Sequence, residues 1–157
     1  MATYKFKNMK QLKNTMNTYL KKTLNEVADQ CLSELRDNVK ENIYSWTPSK
    51  YKRTYDVLNS ITRTNVESNS GLMTVRIYFD TNKIEPHIYS GSAWNAHADF
   101  WGNTVDGYDI LNWLENGTDN EYYSHPSYSF FKDTIEWLHH EINGLFKKAL
   151  QNKGLKV

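Results

Sequence analysis

Trp46-Thr47-Pro48-Ser49-Lys50-Tyr51-Lys52-Arg53-Thr54-Tyr55-Asp56-Val57-Leu58-Asn59-Ser60-Ile61 is the stretch where the hydrophobic pattern of this chain changes period. Before it, apolar residues recur every three or four positions; after it they alternate. Pro48 cannot continue a helix and drives Thr47 toward extended geometry, so the preceding helix must stop there. The hydroxyl and basic residues that follow predict a structured turn and a short helical segment, with Leu58 and Ile61 pointing inward. Residues 46–61 are therefore read as a hinge turn joining a helix to a sheet.

Upstream, Met9, Leu12, Met16, Leu20, Leu24, Val27, Cys31, Leu35, Val39 and Ile43 predict one helix over 8–45, about 50 Å long. Its later spacings are mostly four, so the apolar stripe drifts around the axis and its two ends face different partners. The end near Val39 and Ile43 is expected to cover the sheet, while the Lys-rich start projects outward. A strict heptad is absent, which argues against a long coiled coil. The single cysteine, Cys31, lies on this stripe and reads as a small core residue.

Downstream, residues 61–109 predict a sheet with a long irregular segment at 85–108. Ile61–Glu67 and Leu72–Asp80 read as a hairpin turning at Asn69-Ser70-Gly71. Two strands alone are marginal, so a further strand is expected from 82–109, with Ile84, His87-Ile88-Tyr89 and Phe100-Trp101 as candidates. Residues 109–152 predict a short helix capped by Asp109 and ended by Gly117, then a closing helix capped by Ser127 or Ser129. In that last helix Phe131, Ile135, Leu138, Ile142, Leu145 and Ala149 form the expected core stripe. Phe130 and Trp137 share a second face, which reads either as spill-over of the core or as a contact site. The fold class is α+β: one domain over 1–157, an antiparallel sheet packed against a long N-terminal and a C-terminal helix.

Charge is uneven although the total is only +1. Residues 1–25 carry six lysines and no acid, whereas 80–121 carry eight acids against the single base Lys83. Thirteen of the twenty-two aromatic residues lie between 78 and 131, more than a small core needs and of the kind that contact surfaces favour. A solvated, mixed surface accounts for such unevenness; the sharper reading is a molecule with a basic and an acidic face, able to stack head to tail with copies of itself. A near-neutral total and an acidic middle argue against a dedicated DNA binder. No apolar run suggests secretion or a membrane span, so a soluble protein made in a reducing cytoplasm is expected.

Fragments of catalytic patterns do not close. His140-Glu141 begins a zinc-protease motif, but Gly144 stands where the second histidine is needed. Glu136 and His139 supply one Glu-x-x-His pair where a di-metal bundle needs two. His87, His97, Asp99 and His125 lack tight ligand spacing, and they leave a small cytoplasmic metal-dependent enzyme as an alternative. Catalytic residues, metal ligands and cofactors are expected to be none.

The order of parts resembles the head–tail joining and tail-completion (neck) proteins of long-tailed bacteriophages. Pro48, Thr54, Leu58, Ser60 and Ile61 stand in that family's turn, and Glu115, Gly117 and Thr118 in its helix-ending Glu-x-Gly-Thr, followed by Pro126 and Phe130-Phe131. Two departures are visible: Tyr55 replaces the glycine after threonine, and 85–108 is longer than the usual connection. The resemblance implies a structural virion protein of the neck or upper tail end, assembling as a ring around the DNA passage beside portal, neck or tail-tube proteins. DNA is then met only by non-specific proximity, and no membrane is involved. A minor capsid or tail-terminator protein is the alternative within the same class. Trp94, Trp101, Phe130 and Trp137 are the expected subunit-interface anchors.

Overall fold

Asn8 begins the first element: its side chain accepts a hydrogen bond from the Gln11 amide at 2.9 Å and caps a helix, α1, that runs Met9–Ile43. The computed structural model describes residues 5–45, 54–85, 106–119 and 124–156. Val27, Cys31, Leu35, Val39 and Ile43 are all buried, and each step of four residues turns the stripe by about 40°. That drift gives α1 its two partners. Val27 and Cys31 pack with Ala149, Leu138, Leu145 and Phe146, whereas Leu35, Val39 and Ile43 join Val57, Ile61, Ile84, Ile110 and Phe130 in the main core. Burial pushes the Cys31 thiol up, so it stays protonated and acts as packing material.

The hinge is described from Thr54 onward; Pro48 and the rest of 46–53 lie outside the described residues. Tyr55 sits at φ 60°, ψ 20°, the left-handed region, immediately before α2 (Asp56–Ser60). A side chain there costs about 1 kcal/mol or more. Stacking of the Tyr55 ring on Tyr44, centroids 4.7 Å apart, offsets about 0.5–1.5 kcal/mol of it. The position where the resembling family carries glycine thus has the backbone geometry that glycine adopts freely. Beyond it the corner is held from three sides. The buried Ser60 hydroxyl donates to the Val57 carbonyl at 2.8 Å, the Asp80 amide donates to the Ser60 carbonyl at 2.9 Å, and Arg36 donates to the Ile61 carbonyl at 3.1 Å.

The expected hairpin is present as four short strands: β1 (Ile61–Arg63), β2 (Glu67–Asn69), β3 (Leu72–Thr74) and β4 (Ile77–Phe79). β1 pairs antiparallel with β4, Ile61 opposite Phe79, and β2 with β3, Glu67 opposite Thr74. The register slips by one between the pairs, so Asn65 and Val66 together oppose Val75, a bulge. Past it the side-chain phase of the first strand reverses, which turns Val66 into the interior at 4 % exposure. Met73, Val75, Ile77 and Phe79 face the body while Leu72, Thr74, Arg76 and Tyr78 face out, the alternation of a sheet with one covered face. Ser70 and Gly71 both take positive φ at the tip. Arg63, on the inner face, reaches α1, donating to Asp29 at 2.7 Å and Asn25 at 3.0 Å.

The additional strand expected from 82–109 is absent among the described residues of that span. Thr81–Lys83 form a 3-10 turn, Ile84 is buried in the main core, and 107–109 open a helix; Ile88-Tyr89 and Phe100-Trp101 lie outside the described residues. That helix, α3 (Gly107–Asn116), is capped by Asp106 and not by Asp109: the Asp106 carboxylate accepts from the Tyr108 and Asp109 amides at 2.8 and 2.9 Å. Gly117, at φ 75°, ends it as expected. A two-residue pair follows, β5 (Thr118–Asp119) with β6 (Ser124–His125).

The closing helix, α4 (Phe130–Gln151), runs antiparallel to α1, tied by Asn38 to Thr134 at 2.9 Å near one end and by a Glu26–Lys153 ion pair at the other. Its register corrects the expected stripe. Leu138, Ile142, Leu145 and Ala149 do turn inward, but at the start Phe130 and Thr134 are buried while Phe131 and Ile135 are 40 % and 41 % exposed. The reason is a buried polar pair: the Thr134 hydroxyl donates to the Phe130 carbonyl and accepts from Asn38, so a residue that reads as outward-facing is fully satisfied inside. Phe130 also meets Phe79 edge-on at 5.6 Å, which brings α4 onto the sheet. The fold is α+β, the small antiparallel hairpin sheet packed against the long first helix and the last helix.

Candidate assembly surface

Glu26 and Lys153 mark where α4 ends along α1. Residues 9–22 of α1 continue past that point, an overhang of about 20 Å. Its apolar positions, Met9, Leu12, Met16 and Leu20, fall within an arc of about 80° by the helical period. Met9, Met16 and Leu20 are 77 %, 53 % and 42 % exposed. Lys10, Lys13 and Lys21 line one flank of the stripe by the same geometry, and residues 5–25 hold six lysines and no acid. The expectation that the Lys-rich start projects outward is met. What the sequence reading missed is that the apolar stripe travels out with it; the change from Val, Ile and Cys to Met along the stripe was the visible signal.

A second exposed surface lies on α3. Ile110 and Gly107 face the core, leaving Tyr108, Asp109, Asn112 and Asn116 outward, with Tyr108 69 % exposed. Asp106 beside them is exposed as well, and residues 106–117 hold no lysine or arginine.

The family-motif residues are spent on architecture. Leu58, Ser60 and Ile61 build the hinge corner, Thr54 is exposed ahead of it, and Thr118 enters β5. Glu115 has a role that sequence reasoning did not find. Its carboxylate accepts from the Phe131 and Lys132 amides, both at 2.9 Å, and so caps α4 from α3. Ser129, the residue before α4, is at φ 48° and makes no side-chain cap; Ser127 donates instead to the Glu115 carbonyl. A carboxylate on helix amides is charge-assisted and favoured by the dipole. Glu115→Ala is expected to lower unfolding free energy by about 1 kcal/mol, with Glu115→Gln intermediate, read by urea denaturation.

The expected interface anchors divide. Trp94 and Trp101 lie outside the described residues. Phe130 is 1 % exposed at the centre of the main core, so it is corrected from a contact residue to a packing residue. Trp137 is partly buried against the Val27–Cys31–Ala149 cluster. Of the residues weighed as ligands, His87, His97 and Asp99, and the side chain of His125, lie outside the described residues. Among the described residues no group of three His, Cys, Asp or Glu is arranged to hold a metal ion. No described helix is long and apolar enough to cross a membrane.

A family model described as YomN matches residues 8–156, from the Asn8 cap of α1 to beyond the end of α4. The chain belongs to the YomN family. That family is phage-derived. No curated protein and no solved structure matches the chain. The YomN match takes in the overhang of α1, the hinge corner, the Glu115 cap and the closing helix alike, so the surfaces described above all fall inside the family region.

Proposed function

We propose that this YomN-family chain is a structural subunit of the phage particle, assembling with copies of itself as a ring that joins head to tail around the DNA passage. The observation that carries the reading is the α1 overhang. A helix that runs about 20 Å past the end of its antiparallel partner with an exposed apolar stripe gains stability when a neighbour covers it. The phage origin of the family and the order of parts shared with neck and tail-completion proteins support the same reading. So does the separation of charge, which suits contacts between unlike faces of neighbouring subunits. In this account the acidic, aromatic segment of one subunit meets a helix of the next, and portal or tail-tube proteins close the stack above and below.

Deleting the coding sequence from a phage that carries this protein is expected to leave filled heads and finished tails unjoined in electron micrographs. A tag on the protein in complemented particles is expected at the neck. Normally joined particles without the protein, or label confined to the capsid shell or the distal tail, would overturn the proposal. Stoichiometric zinc or iron in the purified protein would point instead to the metal-dependent enzyme.

A further inference from the structure

We infer that the α1 overhang of one copy docks on the outer face of α3 of a second copy, a head-to-tail contact between two different surfaces of the same chain. The inference rests on the proposed ring assembly and names the two faces that would make it. Four features of the molecule lead here.

The first is the stripe of Met9, Met16 and Leu20, all exposed, with half-buried Leu12, on residues 9–22 of α1, ahead of the buried Thr23 and the Glu26–Lys153 pair. The second is charge on the flank. Six lysines without a compensating acid in residues 5–25 make a pairing of two overhangs, each with the other, repulsive. The occupant must therefore bring negative charge, and a symmetric dimer through this helix is disfavoured. The third is the surface that supplies it on the same chain: the outer side of α3, where Asp106 and Asp109 are exposed and residues 106–117 hold no lysine or arginine. The fourth is an anchor. Tyr108 stands 69 % exposed beside Asp109 on α3, giving Lys10, Lys13 and Lys21 a carboxylate and the Met/Leu stripe an aromatic ring. The two faces lie on different elements, so the contact is heterologous and propagates from copy to copy, closing where the rotation allows.

The experiment is sedimentation of the full chain up to millimolar concentration, at low and at high salt. The unmodified chain is expected to associate, more weakly as salt screens the lysines and acids. Met16→Glu/Leu20→Glu disables the overhang, and Tyr108→Ala/Asp109→Lys disables the α3 face. All four side chains are exposed, so circular dichroism and the melting temperature should stay near those of the parent. Each double variant alone is expected to associate at least about tenfold more weakly. An equimolar mixture of the two is expected to form a dimer and nothing larger, because it holds one intact contact.

A parent that stays monomeric at millimolar concentration overturns the inference. So does association unchanged by either double variant, which leaves the ring reading standing on other surfaces. Loss of association without a dimer on mixing overturns the head-to-tail arrangement. Parent-like self-association of the overhang variant, together with loss of its binding to duplex DNA, would assign the overhang to phosphate contact instead. Neck localisation in particles is read independently, so the two proposals can fail separately.

Discussion

Phe130→Ala is expected to remove about 3–5 kcal/mol of unfolding free energy, whereas Phe131→Ala one residue on should cost less than about 1 kcal/mol. Phe130 is 1 % exposed, packed with Leu35, Val39, Ile61 and Ile110 and edge-on to Phe79; Phe131 is 40 % exposed. Truncating the first leaves a void where α1, the sheet and α4 meet, and the surrounding backbone is held by the hinge corner and cannot collapse into it. Chemical denaturation of the two variants, side by side, measures the difference. The contrast also tests the role of the site. If Phe130→Ala kept parent stability and lost only assembly, Phe130 would be a contact residue and the register of α4 described here would be wrong.

Gly107→Ala is expected to cost about 2 kcal/mol net, against the usual gain from replacing a helical glycine. Alanine would ordinarily stabilise this position by up to about 1 kcal/mol. Here its Cβ would stand 2.5 Å from the Thr81 carbonyl oxygen and 3.0 Å from Ile84 Cβ. The nearer atom is backbone, so relief requires α3 to move away from the 3-10 turn, and overpacking of this kind costs about 1–3 kcal/mol or more. Thermal unfolding is the measurement, with a melting temperature above the parent's as the refuting outcome. The same clash accounts for where α3 begins: the glycine lets the helix start against the turn, two residues ahead of the expected Asp109 cap.

The long helix was legible because its signal is redundant. Ten apolar residues at spacings of three and four leave no competing period, and the run of fours from Val27 to Ile43 also foretold two partners. The hairpin was legible from alternation in Val75, Ile77 and Phe79. Other features depend on pairings between residues far apart in the chain. Thr134 reads as polar and outward until Asn38, ninety-six residues earlier, is seen to satisfy it. Glu115 reads as the end of one helix until it is seen on the amides of another, sixteen and seventeen residues away. The candidate surface was legible in its charge and projection but not in its bareness, since a stripe on paper does not say what covers it.

The extra residue at Asn65–Val66 sets a rule for substitutions along the hairpin. Counting from Ile61, odd-numbered side chains look inward; from Val66 the even numbers do, while the return strand keeps odd numbers throughout. Removing one residue there would restore uniform parity with Val66 still opposite Val75 and still facing inward. What the extra residue contributes is the local bend and stronger twist of a bulge, so its loss is expected to straighten the hairpin while Val66 keeps its buried place.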